Sequence, residues 1–326
     1  MKTTKTSALS ILIAGIVSVF PVQQSHAKKH GGAEGGGEGG EHMKNGLALM
    51  DQKHFDQAAE EFGKAIAGNP QDPRLYHNRA IAYFDAAQAA DAARDTAGAA
   101  MRFTSAITDF SKEIELAPKD EAGYLGRSQV EYMQKQYDTA IADLDKALGV
   151  KPGDPLALKF RGSAEIGLSQ WDKAVVDLTG AIQKDPNDLL SYDRRAWAYR
   201  NLNKPDAAIA DYTIMIEKNP NDSESFAKRG YTYSLQQQYD KAIADYQQAM
   251  KLNPNDQNTP QRLQYAQGML ASKNAPQPVA TPTPTPGPGL ITPVNIIIAV
   301  VVLIGIAVVV RLLTRGKEEP TSSRIR

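Results

Sequence analysis

Cysteine is absent from this 326-residue chain, which rules out a disulfide framework, a lipoprotein anchor and a thiol nucleophile. The compartment must therefore be read from the ends of the chain. Nor does either charge predominate, since 37 basic side chains face 37 acidic ones. A nucleic-acid partner would want a basic surface that releases counterions from phosphates, so none is expected. Histidine is scarce, five in all, and neither His54 nor His77 has a partner at catalytic or metal-ligand spacing. His30, Glu34, Glu38, Glu41 and His42 sit on a glycine-rich stretch whose loose spacing fixes no coordination geometry. With no alternating strand pattern there is no elbow for a nucleophilic serine. The chain is read as a non-enzyme, without metal, cofactor or small-molecule substrate.

What the chain does have is a period. Pro118, Pro152, Pro186, Pro220 and Pro254 fall 34 residues apart. At one fixed distance before each lies a small residue (Ala106, Ala140, Ala174, Ala208, Ala242), followed four positions on by Phe110, Leu144, Leu178, Tyr212 or Tyr246. Earlier in four copies another small residue (Ser128, Gly162, Ala196, Gly230) is preceded each time by arginine. Large and small residues alternate at helical spacing, the mark of stacked helical hairpins.

The pattern resembles the tetratricopeptide repeats, whose unit is two antiparallel helices with small residues where they cross. The resemblance covers about Glu41 to Asp256. It implies an all-α fold: a right-handed α-solenoid of six helix-turn-helix repeats at 41–72, 73–120, 121–154, 155–188, 189–222 and 223–256. Thr259 and Pro260 then predict a capping helix within 257–273, with Leu263, Ala266, Met269 and Leu270 as its apolar stripe. The first helix of repeat 1 reads as short and frayed. Repeat 2 carries fourteen additional residues within Phe84 to Phe103, rich in alanine and free of proline. Fourteen residues are almost four turns, so both helices are expected to lengthen by about two turns and rejoin in phase. The result would be a long hairpin projecting from the solenoid, turning near Thr96 to Gly98.

The two ends suggest secretion and anchoring. Lys2, Lys5, the apolar run Ala8 to Phe20 and the small residues Ser25 and Ala27 read as a signal peptide over 1–27. Glycine-dominated 28–40 reads as a disordered leader. The proline- and threonine-rich 274–289 reads as an extended linker. Leu290 to Val310 is apolar enough to predict a transmembrane helix within 290–313. Arg311, Arg315 and Lys317 follow an uncharged linker, which places the tail 314–326 in the cytoplasm and the repeats on the periplasmic or extracellular side. The layout fits a single-pass bacterial envelope protein.

Two sets of residues stand out. Arg79, Arg127, Arg161, Arg195 and Arg229 recur together with Asp109, Asp143, Asp177, Asp211 and Asp245, and are read as structural ion pairs between packed helices. Repeat 1, which has Asn45 in place of the arginine, carries Glu61 in place of the aspartate. The family resemblance implies a concave groove lined by first-helix residues, here Asn78, Tyr132, Phe160, Arg194, Trp197, Arg200 and Tyr231. Aromatic residues and arginine dominate binding hot spots, so the expected partners are peptide segments or helices of other proteins. Some family members grip a chaperone C-terminal carboxylate with a lysine–asparagine set. Only Asn78 matches it here, since the flanking repeats offer Met43, Leu47, Ala122 and Gly126, so that reading is rejected. The alternative function is a structural spacer or envelope-assembly factor that contacts partners through the long hairpin of repeat 2.

Overall fold

The computed structural model describes residues 38–275 and 293–314. Among the described residues there are fourteen helices and no strand. The chain divides into two compact units, the first ending at Ala271 and the second beginning at Ser272. In the first unit six hairpins follow one another: α1 (Glu38–Asp51) with α2 (Phe55–Gly68), α3 (Pro73–Ala92) with α4 (Thr96–Leu116), and α5 (Glu121–Met133) with α6 (Tyr137–Val150). Then come α7 (Pro155–Gly167) with α8 (Trp171–Lys184), α9 (Leu189–Asn201) with α10 (Pro205–Lys218), and α11 (Ser223–Leu235) with α12 (Tyr239–Leu252). Helix α13 spans Thr259–Asn274, and α14 in the second unit spans Pro293–Thr314.

Local chemistry sets these boundaries. Asp72, Asp120, Asp154 and Asp222 each accept a hydrogen bond from a backbone N–H in the first turn of the helix they precede, supplying acceptors for the donors a helix start leaves free. Each hairpin turns through a residue in the left-handed region: Lys53, Arg94, Lys135, Ser169, Asn203 and Gln237, with φ between 55° and 64°. Side chains with a Cβ are strained there and asparagine less so. Ser169→Gly and Lys135→Gly should therefore each raise stability by about 0.5–1 kcal/mol in urea unfolding, and Asn203→Gly by less.

Each hairpin closes around a small residue facing a large one. A Cβ added at Gly162 would stand 2.8 Å from Leu178 Cγ, and one at Gly230 would stand 3.1 Å from Tyr246. The resulting cores, such as Ala208, Tyr212 and Met215 with Ala196 and Ile182, continue from one repeat into the next. Consecutive helices pack together along the array, and the first helices also touch one another, α1 with α3, α3 with α5, α5 with α7 and α7 with α9. They form an inner row from α1 to α9, which Arg200 of α9 extends to Tyr231 of α11.

Repeat 2 is lengthened evenly. Helices α3 and α4 have 20 and 21 residues, against 13 and 14 in repeat 3. The turn lies at Ala93 to Asp95, earlier than Thr96 to Gly98, because the Asp95 side chain accepts from Gly98 N at 2.9 Å and starts the helix at Thr96. Nor does the extension simply project. Phe84, Ala87, Ala99 and Phe103 join its helices in one core with Ala80, Phe110 and Val130 of repeat 3, and Arg102 holds Asp56 of repeat 1 at 2.8 Å.

Two further expectations need correction. Helix α1 is a full 14 residues and begins at Glu38, so it is neither short nor preceded by coil as far as Gly40. Met43 is buried with Phe62 in the first core, and Leu47 and Met50 pack against it; this packing outweighs the low helix propensity of the glycines. In α13, Ala266, Leu263 and Leu270 pack against Tyr239 and Tyr246, whereas Met269 is exposed. The signal segment 1–27, the leader up to residue 37, the linker from residue 276 and the tail from residue 315 lie outside the described residues. Among the described residues no helix is both long and apolar enough to cross a membrane.

Candidate functional site

The site is built on a repeated scaffold of buried charge. Within every repeat from the second to the sixth, the first-helix arginine meets the second-helix aspartate: Arg79–Asp109 at 2.7 Å, Arg127–Asp143 at 2.6 Å, Arg161–Asp177 at 2.6 Å, Arg195–Asp211 at 2.6 Å and Arg229–Asp245 at 2.8 Å. All five are bidentate, with Nε and Nη2 each donating to one carboxylate oxygen. The hydrogen bonds to Asp177 hold the Arg161 guanidinium above its usual range, against the pull of burial. Sequence separation is 16 residues in four pairs and 30 in repeat 2, so the two added turns on each helix cancel across the hairpin. In repeat 1, Glu61 instead receives His42 at 2.7 Å and Lys64 at 2.5 Å.

Periodic pairing inside two-helix hairpins decides the family, and comparison with known proteins agrees. Family models described as tetratricopeptide repeat or TPR repeat match residues 46–86, 84–155, 191–222 and 223–256, together more than half of the chain. The chain is a tetratricopeptide repeat protein. Among solved structures, the repeat array resembles the Cut9–Hcn1 hetero-tetramer of the APC/C (TM-score 0.55, 16% identity, 79% of this chain and 47% of that one). It also resembles pilF of Pseudomonas aeruginosa (TM-score 0.55, 14% identity, 71% of this chain and 97% of that one). At such identities these show the fold alone. The Hsp70-Hsp90 organizing protein of Triticum aestivum is 30% identical over 98 residues, covering 30% of this chain and 14% of its own length.

In this tetratricopeptide array the inner row of first helices brings several of the expected groove residues together. Arg194 on α9 reaches back two repeats to Tyr132 on α5, its guanidinium carbon 5.9 Å from the ring centroid. Lys159 lies 5.9 Å from Phe160, and Arg200 lies 4.6 Å from Tyr231 of the next repeat. Cations over aromatic faces are the row's recurring motif. Ser128, Gln129, Tyr132, Leu144 and Phe160 line a small apolar cavity between repeats 3 and 4. Two expected residues offer little surface, since Asn78 is 3% and Phe160 7% exposed. Trp197 is half-buried, with one edge set against Trp171 at a centroid distance of 5.3 Å. It packs against the buried cluster of Ile166, Ala174, Leu178 and Ala198. It therefore serves both the packing of repeats 4 and 5 and the inner face.

Sequence reading missed several partners. Trp171 opens a second helix, a position outside the groove set. At the same distance before the closing proline an aromatic stands in five of the six copies (Phe55, Phe103, Tyr137, Trp171, Tyr239), and that regularity was the available signal. His77 does have a partner, Glu113, at 2.9 Å in the core of repeat 2. Glu131 and Glu165 occupy the position where repeats 2, 5 and 6 carry Tyr83, Tyr199 and Tyr233 beside the paired arginine. Burial pushes both glutamate carboxyls up to about 7. In repeat 2, burial likewise lifts Asp85 to about 6.

Proposed function

We propose that this chain is a membrane-held, non-enzymatic scaffold that binds segments of partner proteins along the inner row of its repeats. The carrying observation is the alignment of Tyr132 with Arg194 two repeats on, and of Arg200 with Tyr231 in the next repeat, along the row of first helices. Rigid aromatics and arginines supply most of the energy in protein interfaces, and a row of them suits an extended or helical segment. A relative named for organizing Hsp70 and Hsp90 supports protein binding as the class of activity. Those chaperones are not the proposed partners: Asn78, the one residue matching the carboxylate-gripping set, is buried.

Anchoring rests on α14 and its flanks. Every described side chain from Ile296 to Val310 is exposed, a surface that water does not favour. From Leu290 to Val310 the sequence runs 21 residues without a charged side chain, about the length a bilayer needs. The full chain should stay with membranes through alkaline carbonate extraction, and a chain ended at residue 289 should be released. Release of the full chain would remove the anchor from the proposal.

The binding surface has its own test. Tyr132→Ala combined with Arg194→Ala should reduce partner recovery at least about ten-fold while leaving the helical circular dichroism intact. Deletion of Ala86 to Ala99 should leave recovery unchanged. The reverse result would favour the spacer reading through the repeat 2 hairpin.

A further inference from the structure

At the C-terminal end of the inner row, two cations share one aromatic ring. The Arg200 guanidinium carbon lies 4.6 Å from the Tyr231 centroid and that of Arg262 lies 5.3 Å from it. Arg200 comes from α9, Tyr231 from α11 and Arg262 from α13, so repeats 5 and 6 and the capping helix each contribute one group. The two guanidinium carbons are thus at most about 10 Å apart, in a setting walled by phenols where repulsion is screened less than in water. Tyr212 and Tyr246 line the same corner. Burial raises both phenols, while Arg200 beside each of them and Arg262 beside Tyr246 pull the other way.

Carboxylates nearby are already engaged. Lys228 holds Asp193 at 2.7 Å and Glu224 at 2.9 Å, Arg195 holds Asp211, and Asp256 accepts from Thr259 while feeling the charge of Arg262 from beyond ion-pair distance. Among the described residues neither Arg200 nor Arg262 forms an ion pair within 4.0 Å. Arg200 Nε is moreover buried without a hydrogen-bond acceptor, a donor that is expensive to leave unmet. A carboxylate carbon sits about 4 Å from the carbon of a guanidinium that holds it bidentately. Either fork can therefore take one oxyanion beside the Tyr231 ring, and one acidic segment can reach both.

We infer that Arg200, Tyr231 and Arg262 form a receiver for an oxyanion on an acidic segment of a partner protein. The inference rests on the inner-row function proposed above and adds the chemistry of one end of the ligand. Trp197 lies one helical turn from Arg200 on α9, so an aromatic surface continues directly from the receiver into the groove. Arginine suits the role because its planar fork matches a carboxylate, whereas lysine offers a point charge. No residue of the receiver belongs to the lysine–asparagine set used by chaperone-gripping relatives.

The test uses the full chain in detergent and dye-labelled hexaglutamate, with hexaglutamine as the uncharged comparison. Hexaglutamate should bind and hexaglutamine should not, with affinity falling as salt is raised. Arg262→Gln, at an exposed position, and Arg200→Gln should each weaken binding at least about ten-fold. Lys64→Gln in repeat 1 should leave it unchanged. Arg262→Lys should recover only part of the loss, a result that separates fork recognition from bulk charge. Equal binding by wild type and both glutamine variants overturns the inference. So does binding of inorganic phosphate without hexaglutamate, which would assign the corner to phosphorylated ligands. Loss of partner recovery in Tyr132→Ala/Arg194→Ala does not bear on hexaglutamate, so the two readings fail separately.

Discussion

Asp211→Ala is expected to destabilise repeat 5 by about 3–5 kcal/mol, because it leaves the Arg195 guanidinium partly buried without its counter-charge. Asp211 is 2% exposed, and its oxygens take hydrogen bonds of 2.6 Å and 3.0 Å from Arg195. Burial pushes the Asp211 carboxyl above the ordinary carboxylate range despite those bonds. The pair therefore carries a desolvation cost that it only partly recovers. Removing both charges should consequently do less harm than removing one. In a double-mutant cycle, Arg195→Met with Asp211→Ala should show a coupling of at least about 2 kcal/mol. A repeat array unfolds by neighbouring units, so loss of hydrogen-exchange protection should centre on α9 and α10. A coupling near zero would mean that the ladder of ion pairs does not hold the hairpins closed.

A second large effect should appear only at neutral and alkaline pH. Glu131 lies near Arg127, Asp143 and Thr139, and Glu165 near Arg161, Asp177, Lys173 and Asp145. Each arginine is already committed to its aspartate, so each glutamate adds buried negative charge with no full partner. With carboxyls raised to about 7 in the folded chain and 4.5 as the ordinary value, the folded state holds more protons between those limits. Stability therefore falls as pH rises from about 4.5 through about 7 and is level beyond. Glu131→Gln and Glu165→Gln remove the titrating group while keeping its shape. Each should raise stability by about 1 kcal/mol at pH 8, after allowance for solvent screening, and by almost nothing at pH 4. Equal gains at both pH values would point to packing rather than charge.

These two middle repeats show what a sequence conveys and what it hides. The period, the crossing residues and the co-occurrence of arginine with aspartate were legible because copy after copy repeats them, the ion pair in five of the six. Even the extension of repeat 2 followed from arithmetic, since fourteen residues divide into two turns on each helix. What stayed hidden depended on competition between neighbours. Asp95 and Thr96 both suit a helix start, and only the bond to Gly98 decides between them. Glu38 to Gly40 read as coil until the Met43 side of α1 found the first core. Trp171 and Arg262 lie on elements outside the expected groove set, yet folding brings them against Trp197 and Tyr231. Periodicity reveals which residues are alike, whereas the meeting of Arg262 with Tyr231 involves a helix that has no counterpart in the other copies.

The central claim is that partner proteins lie along the inner row, and site-specific photo-cross-linking in the cells that make the protein tests it most directly. A benzophenone amino acid would be placed at Asn201 on the inner row, at Val176 on a second helix and at Met101 on the long hairpin, all three exposed. The account predicts partner adducts from Asn201 and none from Val176 or Met101. Adducts from Met101 or Val176 with none from Asn201 would contradict it.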